Sequence, residues 1–154
     1  MDPEKIKAIK DWPSLKSVFE VRSFHGLASF YRKFIQNFSG ISTPMMDMVK
    51  KRHKSSFNLL KKKITEQPIL VLPNFSKTFQ VRCDASGFAI GAVLSQDNRS
   101  IMYFSEKLNE AKIKYSTYDK ELYAVIQVLK KWRHYLVPKE FILYNDNHAL
   151  QFVT

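Results

Sequence analysis

From Phe79 to Asp84 the chain alternates strictly. Phe79, Val81 and Cys83 are apolar or thiol-bearing, and Gln80, Arg82 and Asp84 are polar. A period of two is the pattern of a half-buried strand. The link "ASGF" joins this run, Thr78–Asp84, to a second at Ala89–Gln96, and "DNRS" joins the second to a third at Arg99–Ser105. Links this short join antiparallel neighbours, so residues 78–105 are expected to form a three-stranded meander. A long amphipathic segment follows. Ser116 or Thr117 caps it, and Asp119 lies in its first turn, where the helix dipole favours an anion. Leu122, Val125, Ile126, Leu129, Trp132 and Leu136 make its apolar stripe, and Pro138 ends it. Glu140–Asp146 then reads as a fourth strand. A helix between strands of one sheet implies a right-handed crossover, which puts the fourth strand parallel to the first. The order β-β-β-α-β defines a mixed α/β class.

Residues 1–68 read differently, as helices with punctuation. Ser17 and Glu20 form a capping box. Leu27, Phe30, Tyr31, Phe34 and Phe38 recur at helical spacing and are expected to be core. "NFSGISTP" (Asn37 to Pro44) reads as a break, after which Thr43 and Pro44 open a helix through Met45, Met46 and Val49. Phe57, Leu60 and Ile64 suggest a further short helix. His25 and His53 have no partner acid at triad or metal spacing and read as structural or surface residues. The expected division is therefore a helical part, 1–68, and a sheet-bearing part, 69–154.

Charge narrows the partner. The chain of 154 residues has 25 Lys and Arg against 14 Asp and Glu, a net charge of +11. The helical part carries 14 of those bases and 6 of the acids. "KKRHKSSFNLLKKK" (Lys50 to Lys63) has seven Lys or Arg and no acid. Like charges this dense favour a polyanionic partner, most simply nucleic acid. The candidate contacts are Lys50, Lys51, Arg52, Lys54, Lys61, Lys62 and Lys63, with Lys130, Lys131 and Arg133 at the end of the long helix. No apolar run reaches membrane-span length, and the first residues are charged rather than signal-like. The single cysteine, Cys83, cannot form an internal disulfide, which suits a reducing compartment, an intracellular and most simply cytoplasmic one.

Three acids do not fit an ordinary turn. Asp84 ends the first strand, Glu121 sits beside the buried stripe, and Asp146 ends the fourth strand. Ligands bind at the carboxyl ends of strands in α/β sheets. If the helix packs over strands one and four, Glu121 faces both aspartates, and three such carboxylates repel unless a divalent cation sits among them. The pattern alone leaves this metal-binding reading and that of solvated strand-end acids both open.

The stretches "VRSFHGLASFYRKFI", "CDASGFAIGAVLSQ", "YFSEKLNEAKIKYSTYDKELYAVIQVLKKWRHYL" and "FILYNDNHAL" closely resemble the Pol polyprotein of gypsy-class long-terminal-repeat retrotransposons, in the family's order. Residues 1–68 resemble the end of the reverse transcriptase, its helical thumb-like part, and residues from 69 the start of the ribonuclease H-like domain. The resemblance implies a mixed five-stranded sheet flanked by helices. It also implies hydrolysis of the RNA strand of an RNA–DNA hybrid by two Mg2+ (or Mn2+) ions. The family's ligands fall on Asp84 in "CDAS", Glu121 in "YDKEL" and Asp146 in "YNDNHAL", the same three acids.

The departures are specific. The family has a fourth acidic ligand on a later helix, past Thr154, so the domain is expected to be C-terminally truncated and its turnover impaired. No adjacent Asp-Asp pair occurs in the chain, so the polymerase signature is absent. The linker between Lys51 and Phe57 is shorter than the family's. Arg82 stands where the family often has an acid, and it shares a strand face with Asp84. Three readings follow: a ribonuclease H of a retroelement reverse transcriptase, acting with the rest of its polyprotein; a nucleic-acid-binding module without turnover; and a degenerate element fragment.

Overall fold

A computed structural model of the chain describes residues 2–47, 52–66 and 70–145. Four helices come first: α1 (Pro3–Lys10), α2 (Val18–Ala28), α3 (Phe38–Met45) and α4 (Arg52–Thr65), with a 3-10 helix at Ser29–Phe34. The sheet follows as β1 (Phe79–Ala85), β2 (Ala89–Gln96) and β3 (Arg99–Lys107), then α5 (Glu110–Ile113), α6 (Thr117–Lys131), α7 (Arg133–Leu136) and β4 (Phe141–Asn145).

The meander forms as its alternation requires. β1 pairs antiparallel with β2, with Cys83 opposite Ala92, and β2 pairs antiparallel with β3. The β2–β3 turn places Asp97 and Asn98 at φ 51° and 59°. Two successive left-handed residues suit the right-handed twist of a tight hairpin, and Asn and Asp tolerate them better than most. β4 lies parallel to β1 with Asn145 opposite Cys83, giving the strand order β3-β2-β1-β4. This is the expected mixed α/β topology.

Ser116 caps α6: its hydroxyl accepts from the Asp119 N–H at 3.1 Å. The helix ends earlier than Pro138 requires. It stops at Lys131, Trp132 leaves helical geometry at ψ 21°, and α7 restarts the turn. Its buried face also sits about one residue away from the expected stripe. Glu121, Ala124, Val125, Val128 and Trp132 are buried, while Ile126 is exposed.

Two expectations for the helical part are corrected. "NFSGISTP" is not a break, because α3 runs through it. Phe38, Ile41 and Met45 recur at helical spacing and all bury in the core, and that packing overrides poor helix composition. The hydroxyl of Thr43 donates back to the Ser39 carbonyl at 2.7 Å, which satisfies it within the helix. Pro44 accordingly sits near the end of α3 instead of opening a new helix; Val49 lies outside the described residues. The aromatic stripe is also not one helix. The chain tightens to a 3-10 helix at Ser29 and then places Asn37 in the left-handed region, φ 57°. Tyr31 and Phe38 are buried, but Phe30 is 66% exposed. The capping box does form: the Glu20 N–H donates to Ser17 Oγ at 3.2 Å, and the Glu20 carboxylate accepts from the Lys16 N–H at 2.6 Å.

The buried apolar side chains fall into two clusters. One gathers Phe24, Ile35, Met45, Leu60 and their neighbours from α1 to α4. The other gathers Val81, Ile90, Leu94, Val128 and their neighbours between the sheet and α6. Hydrogen bonds join them: Arg32 Nη2 donates to Ser39 Oγ and to the Ser105 carbonyl, each at 2.6 Å, and the Ser39 N–H donates to Ser105 Oγ at 3.0 Å.

Candidate active site

Alternation along β1 sends Phe79, Val81 and Cys83 to the buried face and Gln80, Arg82 and Asp84 to the other. α6 covers the first face. Glu121 lies in its second turn and is only 9% exposed, because its position falls on the stripe that packs against β1. Its carboxylate Oε2 accepts from Asn145 Nδ2 at 3.5 Å, at the carboxyl end of β4. Cys83, paired with Asn145 across the sheet, lies in the same neighbourhood. Burial and the negative charge of Glu121 push its thiol up to about 12, so it stays protonated at neutral pH.

Asp84 leaves β1 from the opposite face and is exposed. It lines a cavity of about 480 Å³ between the helical part and the sheet, together with Lys63, Arg82 and Asn37. Its place at the strand's carboxyl end is fixed from two sides. The Ser86 hydroxyl and the Ala89 backbone close the turn after β1. Lys120 Nζ donates to the Gly87 carbonyl at 3.1 Å, which ties the first turns of α6 to that turn. Thus β1, β4 and the start of α6 meet at one end of the sheet, where Asp84 and Glu121 approach from different sides of β1. Asp146, the third candidate, lies outside the described residues. Among the described residues no three His, Cys, Asp or Glu side chains gather as a metal-binding group.

The donors nevertheless suit a hard cation. Carboxylate oxygens at a strand end, one of them buried beside an amide, are the chemistry Mg2+ prefers. Glu121 is the candidate held most firmly, 9% exposed on the packed face of α6 with Asn145 Nδ2 at 3.5 Å from its carboxylate.

The basic candidates separate. Lys54 and Lys62 are exposed on α4, and Lys63 lines the cavity. Lys61 has a structural contact instead: its ammonium donates to the Trp12 carbonyl at 2.7 Å and sits 5.2 Å from the Phe57 ring centre. Lys50 and Lys51 lie outside the described residues, as does the side chain of Arg52. Lys130, Lys131 and Arg133 are exposed at the far end of α6. Arg32 and Lys33, consecutive on the 3-10 helix, line a second cavity of about 500 Å³ with Glu106 and Lys131; the sequence does not announce this grouping, because Lys131 comes from the far end of α6. His53 is buried with Nδ1 2.7 Å from the Met45 carbonyl, a structural role.

The family described as the RNase H-like domain found in reverse transcriptase matches residues 49–143, a span that takes in α4 and β1 to β3 and ends within β4. The chain is 40% identical over 161 residues to the retrovirus-related Pol polyprotein from transposon 297 of Drosophila melanogaster, covering 99% of this chain and 15% of that one. It is 37% identical to the Pol polyprotein from transposon gypsy of the same fly, covering 98% and 17%. A transposon Tf2-3 polyprotein of Schizosaccharomyces pombe is 34% identical over 86% of this chain and 11% of its own length. The chain thus spans less than a fifth of these relatives. Its fold matches a foamy viral protease-reverse transcriptase in complex with double-stranded DNA, with TM-score 0.78 and 18% identity over 100% of this chain and 30% of that one. It also matches the foamy viral enzyme in complex with RNA/DNA hybrid, with TM-score 0.77 and 18% identity over 99% and 23%. A ribonuclease H-like α/β sheet, carrying the gypsy-type motifs in order over nearly the whole chain, is therefore what the sequence encodes, and the chain belongs to the family of RNase H-like domains found in reverse transcriptases.

Proposed function

We propose that this chain is the ribonuclease H part of a retroelement Pol polyprotein and hydrolyses the RNA strand of RNA–DNA hybrids. The observation that carries this reading is the Glu121–Asn145 contact. It brings the acid of the "YDKEL" motif to the carboxyl end of β4, beside the end of β1 that bears Asp84, and Asp146 follows Asn145 directly in the sequence. Asp84, Glu121 and Asp146 would hold divalent ions, Mg2+ or Mn2+. When bound, two such ions activate a water and stabilise the leaving oxygen. The chain's own groups do the rest. Glu121, held in the packed face of α6, supplies a fixed oxygen. Lys54 and Lys62 neutralise backbone phosphates along α4, and Lys130, Lys131 and Arg133 do so at the other end of α6.

A second reading has its own support. Asp84 departs from the face opposite α6, into a cavity that also holds Arg82 and Lys63. That placement suits a hybrid-binding module without turnover. A cleavage assay on end-labelled hybrid decides between them. The hydrolase reading expects Mg2+-dependent cutting of the RNA strand alone, lost in D84N, E121Q and D146N. Salt-sensitive binding with no cutting at any Mg2+ or Mn2+ concentration would establish the second reading.

A further inference from the structure

The cavity between the helical part and β1 takes two cations from separate parts of the chain. Lys63 comes from α4, and Arg82 comes from the middle of β1. Among the described residues neither has a carboxylate within ion-pair distance, although Asp84 lines the same cavity. The guanidinium of Arg82 is not loose, since it lies 5.3 Å from the ring centre of Tyr144, its neighbour across β1 and β4. A stacked guanidinium loses less freedom on binding and keeps its donor fork available. Ile41, Leu59 and Val93 add apolar surface to the cavity beside these charges: Leu59 lies one turn before Lys63 on α4, and Val93 pairs with Arg82 across β1 and β2. Leu59 is 43% exposed on α4.

Two cations with no carboxylate at ion-pair distance among the described residues, sharing a cavity of about 480 Å³ with apolar side chains, describe a site for a group that is anionic at one end and flat or apolar at the other. We propose that this cavity binds a single nucleotide unit. Its phosphate lies between Lys63 and Arg82, and its sugar and base lie against Leu59 and Val93. The unit comes from a nucleic-acid strand or from a free nucleotide. The inference rests on the reading that the partner is nucleic acid, but it does not require turnover. It gives Arg82 a positioning role: a phosphate seated there would fix the strand beside Asp84.

The test uses the full chain in EDTA, so that no result depends on metal or cleavage. Binding of a short fluorescein-labelled RNA–DNA hybrid is followed by anisotropy across a salt series. The Arg82 side-chain Nε–H resonance is followed while hybrid, adenosine monophosphate or inorganic phosphate is added. K63Q and R82Q should each weaken hybrid binding roughly three- to tenfold at low salt and flatten the salt slope by about one. The double variant should lose less than the product of the two, because both serve one phosphate. K139Q, the same charge change just before β4 at the far end of the sheet, should have a smaller effect. R82K should recover most of the slope, which excludes misfolding as the cause of the R82Q loss. A saturable shift of the Arg82 resonance by monophosphate and phosphate shows that free ligands enter, whereas a shift by hybrid alone assigns the site to a strand. The proposal is overturned if K63Q and R82Q behave like K139Q, or if none of the three probes moves the Arg82 resonance. A chain that binds with these signatures but never cuts would sink the hydrolase reading alone. A chain that cuts while K63Q and R82Q bind normally would sink this inference alone.

Discussion

Arg32 donates from one guanidinium nitrogen to Ser39 Oγ and to the Ser105 carbonyl, both at 2.6 Å. Together with the Ser39 N–H bond to Ser105 Oγ, this side chain from the 3-10 helix joins α3 to β3. The two apolar clusters are separate, and these polar bonds link the elements that carry them. A charge-assisted hydrogen bond contributes about 1.5–3 kcal/mol, and a buried carbonyl left without its donor is penalised further. R32A should therefore destabilise the chain by about 2 kcal/mol in urea unfolding, and protection of the Ser39 amide from hydrogen exchange should fall more than that of Val81 in the core. A Ser39 amide that stays fully protected would show that apolar contacts hold α3 on β3.

His25 makes stability pH-dependent in the same region. Burial, the Arg32 guanidinium and Lys107 together lower its pKa from the ordinary 6.5. The unfolded chain then binds a proton that the folded chain refuses, so stability rises with pH through this window. The contribution is complete above about 6.5 and is lost as pH falls from there through the folded value. Thermal unfolding from pH 5 to 8 should show a steeper fall on the acid side for the wild type than for H25Q. Parallel curves would mean that His25 titrates alike in both states.

A third prediction concerns Asn37 and Gly40. A Cβ at Gly40 would collide with the Asn37 side-chain amide, while Asn37 itself has φ 57°. Ala ordinarily gains about 1 kcal/mol over Gly inside a helix. G40A alone should keep only part of that gain, because the exposed Asn37 side chain must swing aside. N37G removes the obstacle and suits the left-handed backbone. In the N37G background, G40A should stabilise by about 0.5–1 kcal/mol. Additive single and double variants in urea unfolding would refute the contact.

Local pattern made the sheet legible. The alternation of β1, the two short links and the Ser116 cap each act over a few residues, so they can be read without knowing what packs where. Pairing β4 with β1 needed only the crossover argument. α3 was hidden for the opposite reason. Its Gly40, Ser42, Thr43 and Pro44 are poor helix formers, and it exists because Phe38, Ile41 and Met45 reach a core built by residues far away in sequence. The stripe of α6 was misread by about one position because Leu and Ile outweigh Ala124 in a hydrophobic count, while the close approach to β1 favours Ala. That shift places Glu121 within the packed face and not beside it. Asp84 and Glu121 stand out in the sequence as acids at the end of a strand and beside an apolar stripe; the structure leaves Asp84 exposed and buries Glu121. The side of β1 from which each approaches depends on the packing of α6, and the diversion of Lys61 to the Trp12 carbonyl depends on α1, which no residue near Lys61 announces.

The metal reading can be tested without any cleavage. A ligand that binds only the folded chain raises its stability by mass action, by about 2.7 kcal/mol at a hundredfold excess over its dissociation constant. Mg2+ or Mn2+ should therefore raise the midpoint of thermal unfolding of the wild type in a concentration-dependent way, whereas Ca2+-free, EDTA-treated protein sets the baseline. E121Q keeps the shape of the side chain and its place on the buried face of α6 while removing the charge. In EDTA it should be as stable as the wild type or more stable, since a buried carboxylate is no longer desolvated. With Mg2+ it should lose most of the increment, because a neutral amide is a poor ligand for a hard cation. D84N should lose part of the increment and leave the EDTA baseline unchanged, because Asp84 is exposed. The two variants thus separate metal binding from folding. If E121Q responds to Mg2+ as the wild type does, Glu121 is a packed carboxylate held by Asn145 and not a metal ligand. If the wild type shows no increment at any Mg2+ or Mn2+ concentration, the carboxylates of β1 and α6 do not share an ion, and the binding-module reading stands.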